Sequence, residues 1–245
     1  MIWIMPPAFA PLYALVLASV ALAAPMILLN DRGSSTANSS AFAAASSINV
    51  AAISAAANAS TKNEVDSYYT SQAKDHTSKI YGDWSNLPHV SAFHFMADMD
   101  IDCDGVYWNC PGNSGDGQPL TSFGALDSRV VPWYVLPEKF ADDKNITGNA
   151  LGAIICDGKM VYAIFGDTNG ATPQVIGEGS LELGRACFPN DNISGDNGHG
   201  PADVTYIVFG KEVPTGVGNH TIDIAALKTL GDQQVQLLVQ DLKLD

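Results

Sequence analysis

Two carboxylates follow neighbouring apolar runs in the second half of the chain. Asp167 comes after Ala163-Ile164-Phe165-Gly166, and Glu178 lies within Val175-Ile176-Gly177-Glu178-Gly179. Hydrolysis of a glycosidic bond needs such a pair, because one carboxyl protonates the departing oxygen while the other, kept ionised, activates a water or attacks the sugar. The same residue types also cap turns and begin helices, so the pair alone leaves a structural role open.

A run of alternating aspartates precedes this pair. Asp98, Asp100, Asp102 and Asp104 would share one face of an extended strand. Like charges in a row repel unless a cation neutralises them, so the candidates are the ammonium groups of a glucosamine substrate, hydrogen bonds within a turn, and a bound calcium. An EF-hand is not predicted, because position 12 counted from Asp100 is Pro111 where a bidentate glutamate is required.

Other polar residues near the pair are candidates for substrate binding. Asn169 follows the first carboxylate closely, while His199 and Asp203 lie in and after a loop that precedes an apolar run. A loop histidine can orient a carboxylate or a sugar hydroxyl, and it can equally have a structural role. Aromatic residues that can stack on sugar faces or fill the core are Trp108, Trp133, Tyr134 and Tyr162.

Short strands must position these side chains. Apolar or β-branched runs bounded by turn residues predict strands at 93–99, 130–136, 150–156, 160–165 and 204–209. Asp157-Gly158 between two of them predicts a tight hairpin. The pattern from Glu178 to Cys187 predicts a helix that Pro189 ends, and the tail from Asn219 predicts a further strand and a short helix or strand pair. The result is a small, mainly β domain that closes into a barrel.

Several segments, in the same order, resemble the fungal chitosanases of glycoside hydrolase family 75. They are FGDTNG at 165–170, VIGEGS at 175–180, CFPND at 187–191 and NGHGPADVTYIVF at 197–209, and the aspartate run is similar to that family's DxDCDG-type segment. The resemblance implies that Asp167 and Glu178 are the essential pair of an inverting, endo-acting hydrolase of chitosan that needs no cofactor or metal. Residues 124–135 and 163–170 are also similar to segments of double-psi barrels, so we expect a six-stranded double-psi-like β-barrel.

The surroundings of Asp167 and Glu178 predict which of the two is the acid and which is the base. A glutamate at a partly apolar junction is easier to keep protonated than an aspartate among polar turn groups. We therefore assign Glu178 as the general acid and Asp167 as the base.

The chain divides into four predicted segments. Residues 1–23 carry no charge and end in Ala21-Leu22-Ala23, which predicts a cleaved secretory signal, with an uncleaved anchor as the alternative. Residues 24–61 form an Ala- and Ser-rich low-complexity linker or weak alanine helix. Residues 62–90 form a transitional segment with a short packing helix, and residues 91–245 form the catalytic domain.

Cysteine usage and glycosylation motifs agree with export. The four cysteines allow three disulfide pairings, of which we favour Cys103 with Cys110 and Cys156 with Cys187. A zinc site is the less favoured alternative, because no CxxC pair is present and the histidines are scattered. Asn-x-Ser/Thr motifs begin at Asn38, Asn58, Asn145, Asn192 and Asn219.

The acidic composition restricts the partners. With 26 acidic and 12 basic residues the net charge is −14, which disfavours nucleic acid and anionic membranes and favours a polycation such as chitosan. Many secreted proteins are acidic for solubility alone. We expect a secreted monomer that does not associate with membranes after removal of its signal.

Two other functions compete with a chitosanase. One is a non-catalytic polysaccharide-binding double-psi barrel of the expansin or barwin kind, and Glu178 discriminates it, because a binding barrel needs no second carboxylate across the cleft. The other is a hydrolase of a neutral glucan, for which the run from Asp98 to Asp104 would have no explanation.

Overall fold

A barrel of six strands forms the centre of the described chain. The computed structural model describes residues 39–113, 115 and 117–244 together with Met1, so the predicted signal at 1–23 and the low-complexity residues up to 38 lie outside the described residues. The strands of the described chain are β1 Glu64–Thr70, β2 Thr77–Tyr81, β3 Phe93–Asp102, β4 Trp133–Pro137, β5 Leu151–Cys156, β6 Lys159–Asn169, β7 Val175–Ile176, β8 Glu178–Ser180 and β9 His199–Val208. The α-helices are α1 Val50–Ala59, α2 Glu138–Lys144, α3 Leu181–Cys187 and α4 Ile224–Leu242.

The barrel closes in the strand order β3-β8-β4-β6-β5-β9, because β9 also pairs with β3. The pairs β3–β8 and β4–β6 are parallel, and the other pairs are antiparallel. Long apolar strands make this closure possible: β5 is buried at every position and β6 at eight consecutive ones. The predicted mainly β, six-stranded barrel with short helices is confirmed.

The predicted core strands are found close to their expected places. Each of the five predicted runs overlaps an observed strand. β3 and β6 continue farther toward the acidic residues than expected. The hairpin at Asp157-Gly158 is confirmed, since both residues have the positive φ values, 47° and 71°, that such a tight turn requires. Both favoured disulfides, Cys103–Cys110 and Cys156–Cys187, are confirmed as well.

Three predicted helical or strand segments differ from the structure. The segment 62–90 contributes β1 and β2 instead of a short helix, because alternate residues of β1 face inward. The helix predicted from Glu178 begins only at Leu181, since Glu178 pairs within the sheet and Ser180 caps the helix through Leu183 N, 3.2 Å away. The described part of the C-terminal tail, residues 219–244, forms one long helix, α4, and contains none of the strands.

The residues before the predicted domain also pack against it. α1 buries Ile53 and Ala57, Phe42 is only 2% exposed, and Ala43 forms a bridge with Val161 of β6. The alanine helix considered for this segment therefore forms, and its apolar side chains extend the core. Among the described residues, no helix has both the length and the apolar character needed to cross a membrane.

An outer sheet extends the barrel at one edge. β2 pairs with β3 at Tyr81 and His94, β1 pairs with β2, and β7 pairs with β1 in parallel at Tyr69 and Val175. The chain then passes from β7 through Gly177 into β8 of the barrel. The end of β1 is thereby held beside the start of β8.

β6 has a bulge where it pairs with β4. The bulge determines which β6 side chain lies at the same level as the residues of β8 on the other side of β4. Tyr134 is paired with Phe165 but Val135 with Asp167, so Gly166 is the extra residue. A bulge redirects the side chains that follow it. A Cβ atom on Gly166 would lie 2.5 Å from Trp133 Cβ, so this position requires glycine.

We expect Gly166→Ala to lower the melting temperature by about 4 to 8 °C. Overpacking a core costs about 1 to 3 kcal/mol, and each kcal/mol corresponds to about 2 to 4 °C in a chain of this size. Gly200→Ala is the matched control, because a Cβ atom there would meet nothing within 4 Å. Thermal unfolding of the two variants measures the difference, and equal melting temperatures would contradict the role given to the bulge.

Candidate active site

Asp167 and Glu178 stand at the same level on opposite sides of β4. Val135 is the register partner of both residues, and Asp100 of β3 is the partner of Glu178 on the far side. Register partners point to the same face of a sheet. With strands about 4.8 Å apart, the Cα atoms of Asp167 and Glu178 are separated by about 9 to 10 Å.

Both carboxylates line one cavity of about 340 Å³. Val135 lies in its wall between them, and Asp102, Asp104 and Asn169 line it as well. The structure therefore brings together the two predicted catalytic residues and three of the predicted binding residues. The cavity is concave, polar and within the size range of carbohydrate-sized ligand sites.

Asp167 is held by a turn of a distant loop. Its Oδ1 atom accepts hydrogen bonds from Ser122 N at 2.8 Å, Ser122 Oγ at 2.6 Å and Thr168 N at 2.7 Å. Asp167 is only 5% exposed, and this burial raises its pKa. The hydrogen bonds act against that rise, because they favour the ionised form. All three donors bond to Oδ1. Among the described hydrogen bonds none uses Oδ2, so this atom is available to accept a further one.

The carboxyl of Glu178 is easier to protonate than that of an ordinary glutamate. Burial raises the pKa of Glu178 to about 7, and the negative charges of Asp100 and Asp167 add to the rise. Ser71 Oγ lies 2.9 Å from Oε1, and Asn169 Nδ2 lies 3.1 Å from Oε2.

Asn169 has a defined orientation at the site. Its Oδ1 atom accepts a hydrogen bond from Val175 N at 3.2 Å, so its amide group must present Nδ2 to Glu178. Asn169 therefore acts on the carboxyl of Glu178, and the short loop from β6 to β7 fixes its geometry.

Three aspartates form a cluster at the mouth of the cavity. Oxygen atoms of Asp102, Asp104 and Asp167 lie within 4.8 Å of one another. Trp133 Nε1 donates to Asp102 at 2.8 Å, and Gln118 N donates to Asp104 at 2.7 Å.

The cluster is electrostatically strained when it is ionised. Burial, followed by the charges of Asp167 and Asp104, raises the pKa of Asp102 well above its ordinary value. Burial raises the pKa of Asp104 to about 6, with the charge of Asp167 adding to the rise. A cation in the cavity would relieve the repulsion.

The run of aspartates extends beyond its strand. β3 is continuous from Phe93 to Asp102, and the register irregularity beside Asp98 arises in β9, where residues 200–203 are extra, so only Asp104 lies beyond the end of β3. Asp98 is fully buried and its Oδ2 accepts a hydrogen bond from Ala73 N at 2.8 Å. Asp98 therefore holds the turn that carries Ser71, whose Oγ also lies 2.9 Å from Asp100 Oδ2.

His199 and Asp203 lie outside the cavity. His199 Nε2 is 2.8 Å from Asp203 Oδ1, and the imidazole stacks on Phe188 with the ring centroids 3.8 Å apart. Neither residue is among the described residues that line the cavity. Their observed contacts are those of a surface pair at the start of β9.

Sequence reasoning missed Ser71 and Ser122. Each serine lies in a loop far along the chain from the carboxylate it contacts, since Ser71 and Glu178 are 107 positions apart and Ser122 and Asp167 are 45 positions apart. No local pattern distinguishes these serines from ordinary turn residues. Of the aromatic candidates, Trp133, Tyr134 and Tyr162 are fully buried, while Trp108 is 39% exposed.

Comparison with known proteins identifies the class of the protein. Residues 99–236 match the family model described as fungal chitosanase of glycosyl hydrolase group 75. This range contains both carboxylates, the barrel strands from β4 to β9 and the aspartate cluster. The chain belongs to that family.

Similar curated proteins carry the corresponding name. An endo-chitosanase C from Aspergillus oryzae is 44% identical over 210 residues, which cover 83% of this chain and 55% of the relative. An endo-chitosanase from Aspergillus oryzae is 34% identical over 65% of this chain and 78% of the relative, and one from Aspergillus fumigatus is 31% identical over 63% and 74%. The chain spans about half the length of the endo-chitosanase C sequences that it matches.

We expect Ser122→Ala to raise the pKa of Asp167. The variant removes the hydroxyl that donates to Asp167 Oδ1 at 2.6 Å, and a hydrogen bond to a charged group contributes about 1.5 to 3 kcal/mol. NMR titration of ¹³C-labelled aspartate side chains, with Asp167→Asn for assignment, measures the change. Ser194→Ala, which removes a hydroxyl bonded to the exposed Asp196, serves as the control. An unchanged pKa of Asp167 in the Ser122 variant would argue against its contact with the ionised carboxylate.

Proposed function

We propose that this protein is a secreted, monomeric endo-chitosanase that hydrolyses β-1,4 bonds between glucosamine units with inversion and without a cofactor. The observation that carries the proposal is the placement of Asp167 and Glu178 at one level on either side of Val135, in one acidic cavity. Membership of the chitosanase family and the names of the similar proteins support the same substrate.

The spacing of the pair favours inversion. An inverting hydrolase needs its carboxyl groups about 6.5 to 9.5 Å apart to leave room for a water, whereas a retaining one needs about 5 to 5.5 Å. Two strand spacings separate the Cα atoms by about 9 to 10 Å. Side chains that point to the same face from such positions leave space for a water and a sugar ring above Val135.

The contacts of Ser71 support Glu178 as the acid. Ser71 Oγ lies 2.9 Å from both Asp100 and Glu178, but a hydroxyl has one hydrogen to donate. Two ionised carboxylates would leave one contact repulsive. If Glu178 is protonated, its O–H donates to Ser71 Oγ, and Ser71 in turn donates to Asp100, so both contacts are satisfied.

The contacts of Asp167 support its role as the base. Hydrogen bonds from Ser122 N, Ser122 Oγ and Thr168 N to Oδ1 favour the carboxylate form. In the reaction, Oδ2 takes a proton from the attacking water as its oxygen bonds to the anomeric carbon. Glu178 gives its proton to the departing glycosidic oxygen, and the bond to that oxygen breaks.

The acidic cluster accounts for the polycationic substrate. The ammonium group of a glucosamine unit would lie among Asp102, Asp104 and Asp167, where it relieves their mutual repulsion. Asp100 and Asp98 act behind the cavity through Ser71 and its turn. The net charge of −14 draws a cationic polymer toward the protein from a distance.

Features of the surface agree with export. The sequons at Asn58, Asn145, Asn192 and Asn219 have exposed asparagines, as attachment of a glycan requires. Two disulfides, Cys103–Cys110 and Cys156–Cys187, suit an oxidising compartment.

The non-catalytic binding barrel makes a different prediction. A reducing-sugar assay on chitosan, carboxymethyl cellulose and chitin in parallel separates the functions. Cleavage of chitosan supports the proposal, binding without cleavage supports the binding barrel, and cleavage of cellulose but not chitosan contradicts the charge argument.

We expect Glu178→Gln and Asp167→Asn each to lower kcat on chitosan by a factor of about 100 to 10,000, the usual contribution of a general acid or base. A substrate with a good leaving group needs no acid, so it should restore the Glu178 variant but not the Asp167 variant. Rescue of the Asp167 variant alone would reverse the two roles. The exposed Glu212 provides the matched control, Glu212→Gln.

We expect kcat/KM to fall as the pH rises through about 7. The acid must be protonated, and the pKa of Glu178 is raised to about 7. NMR titration of ¹³C-labelled glutamate side chains, with Glu178→Gln for assignment, separates this ionisation from that of the substrate. An alkaline limb near the ordinary glutamate value of about 4.3 would contradict the assignment.

We expect Glu178→Gln to be more stable than the wild-type protein at pH 8. A folded-state pKa raised to about 7 means that Glu178 stabilises the fold most below its unfolded pKa, and that this contribution is lost as the pH rises through about 7. The melting temperature of the variant should exceed that of the wild type by about 3 °C or more at pH 8, and by less at pH 4. Equal differences at the two pH values would contradict burial of an ionised carboxylate.

A further inference from the structure

A second, larger cavity adjoins the catalytic one. It has a volume of about 640 Å³, and the segment Gly170-Ala171 lines both cavities. This segment belongs to the loop that leads from Asp167 on β6 to Glu178 on β8. The loop between the two carboxylates therefore forms part of the wall of both cavities.

Tyr69 of β1 stands in the wall of the second cavity and is 54% exposed. It pairs with Val175 of β7, and the parallel pairing continues to Ser71, whose N–H donates to Ile176 O at 2.9 Å. Ser71 follows the end of β1, and its Oγ lies 2.9 Å from Glu178 Oε1. The strand that carries Tyr69 therefore leads within two residues to the contact with Glu178.

The lining of the second cavity differs in charge from that of the first. No carboxylate is among its described lining residues, whereas Asp102, Asp104, Asp167 and Glu178 line the catalytic cavity. Its one cationic lining group among them is Lys139, which bonds to Asp143 and is thereby neutralised. This cavity offers aromatic and hydroxyl groups, and the carboxylates next to its lining, Asp66 and Asp143, are bonded to Tyr68 and Lys139.

We propose that the second cavity is a subsite for an uncharged sugar unit, whose face stacks on Tyr69 while a glucosamine unit occupies the acidic cavity. Its ligand is an N-acetylated unit of the same polysaccharide chain, which carries no ammonium group and presents an apolar ring face. The proposal rests on the proposed function, because it assumes that one polysaccharide chain occupies both cavities. It assigns Tyr69 as a residue that determines specificity for partially acetylated chitosan.

The test compares Tyr69→Ala with wild type on partially acetylated and fully deacetylated chitosan. Loss of one aromatic stacking partner should raise KM for the acetylated polymer about three- to tenfold, with kcat changed by less than about twofold. The rise for the deacetylated polymer should be smaller. Tyr69→Phe keeps the ring and should recover most of the lost affinity, and Val213→Ala, which shortens an exposed apolar side chain on another loop, is the neutral control.

A binding experiment separates failure of the subsite from failure of the enzyme. Calorimetry with Glu178→Gln measures the affinity of glucosamine oligomers with and without one N-acetylated unit, and requires no cleavage. If Tyr69→Ala, added to Glu178→Gln, weakens binding of the acetylated oligomer, the subsite is supported even when the wild type cleaves no chitosan. If the wild type cleaves chitosan but Tyr69→Ala leaves both KM and binding unchanged, the subsite is overturned and the proposed function stands.

Discussion

The site depends on the pairing of one strand, β4, with two others that each carry a carboxylate. Val135 is the register partner of both Asp167 and Glu178, so backbone hydrogen bonds of the barrel set the separation of the pair. A shift of one residue in either pairing would turn one carboxylate to the other face. The bulge at Gly166 supplies the needed shift in β6, and Trp133 leaves no room there for a larger residue.

Burial of several carboxylates is the energetic cost of this arrangement. The pKa values of Asp102, Asp104, Asp167 and Glu178 are all raised, with burial as the largest cause. Such groups destabilise the empty site above neutral pH, and the large apolar core and the two disulfides offset that cost. In the proposed function, the ammonium group of a substrate relieves the same repulsion, so the instability of the site and its proposed selectivity have one origin.

The outer sheet gives the two carboxylates different surroundings. β1 and β7 bring Ser71 to Glu178, while the loop before β4 brings Ser122 to Asp167. Ser71 shares its single hydrogen between two acidic groups, whereas Ser122 gives both its N–H and its hydroxyl to one. These unequal supplies of donors favour the ionised form of Asp167 more than that of Glu178. Residues 62–90 thus contribute to the surroundings of Glu178, although their sequence predicted only a packing segment.

The sequence by itself determined the barrel class, the core strands, the Asp157-Gly158 hairpin and the disulfides, because these follow from local periodicity, turn chemistry and short motifs. It also predicted that Asp167 and Glu178 form a pair, and the structure places both in the lining of one cavity. It could not determine that Asp98 is buried, that His199 and Asp203 stand apart, or that Ser71 and Ser122 reach the site. The length of the C-terminal helix was missed as well, although its buried residues Leu227, Gly231, Val235 and Leu238 recur at helical spacing. Only the tertiary structure decided the places of Asp98, His199, Asp203 and the two serines, because register, bulges and closure of the barrel join residues that lie up to 107 positions apart.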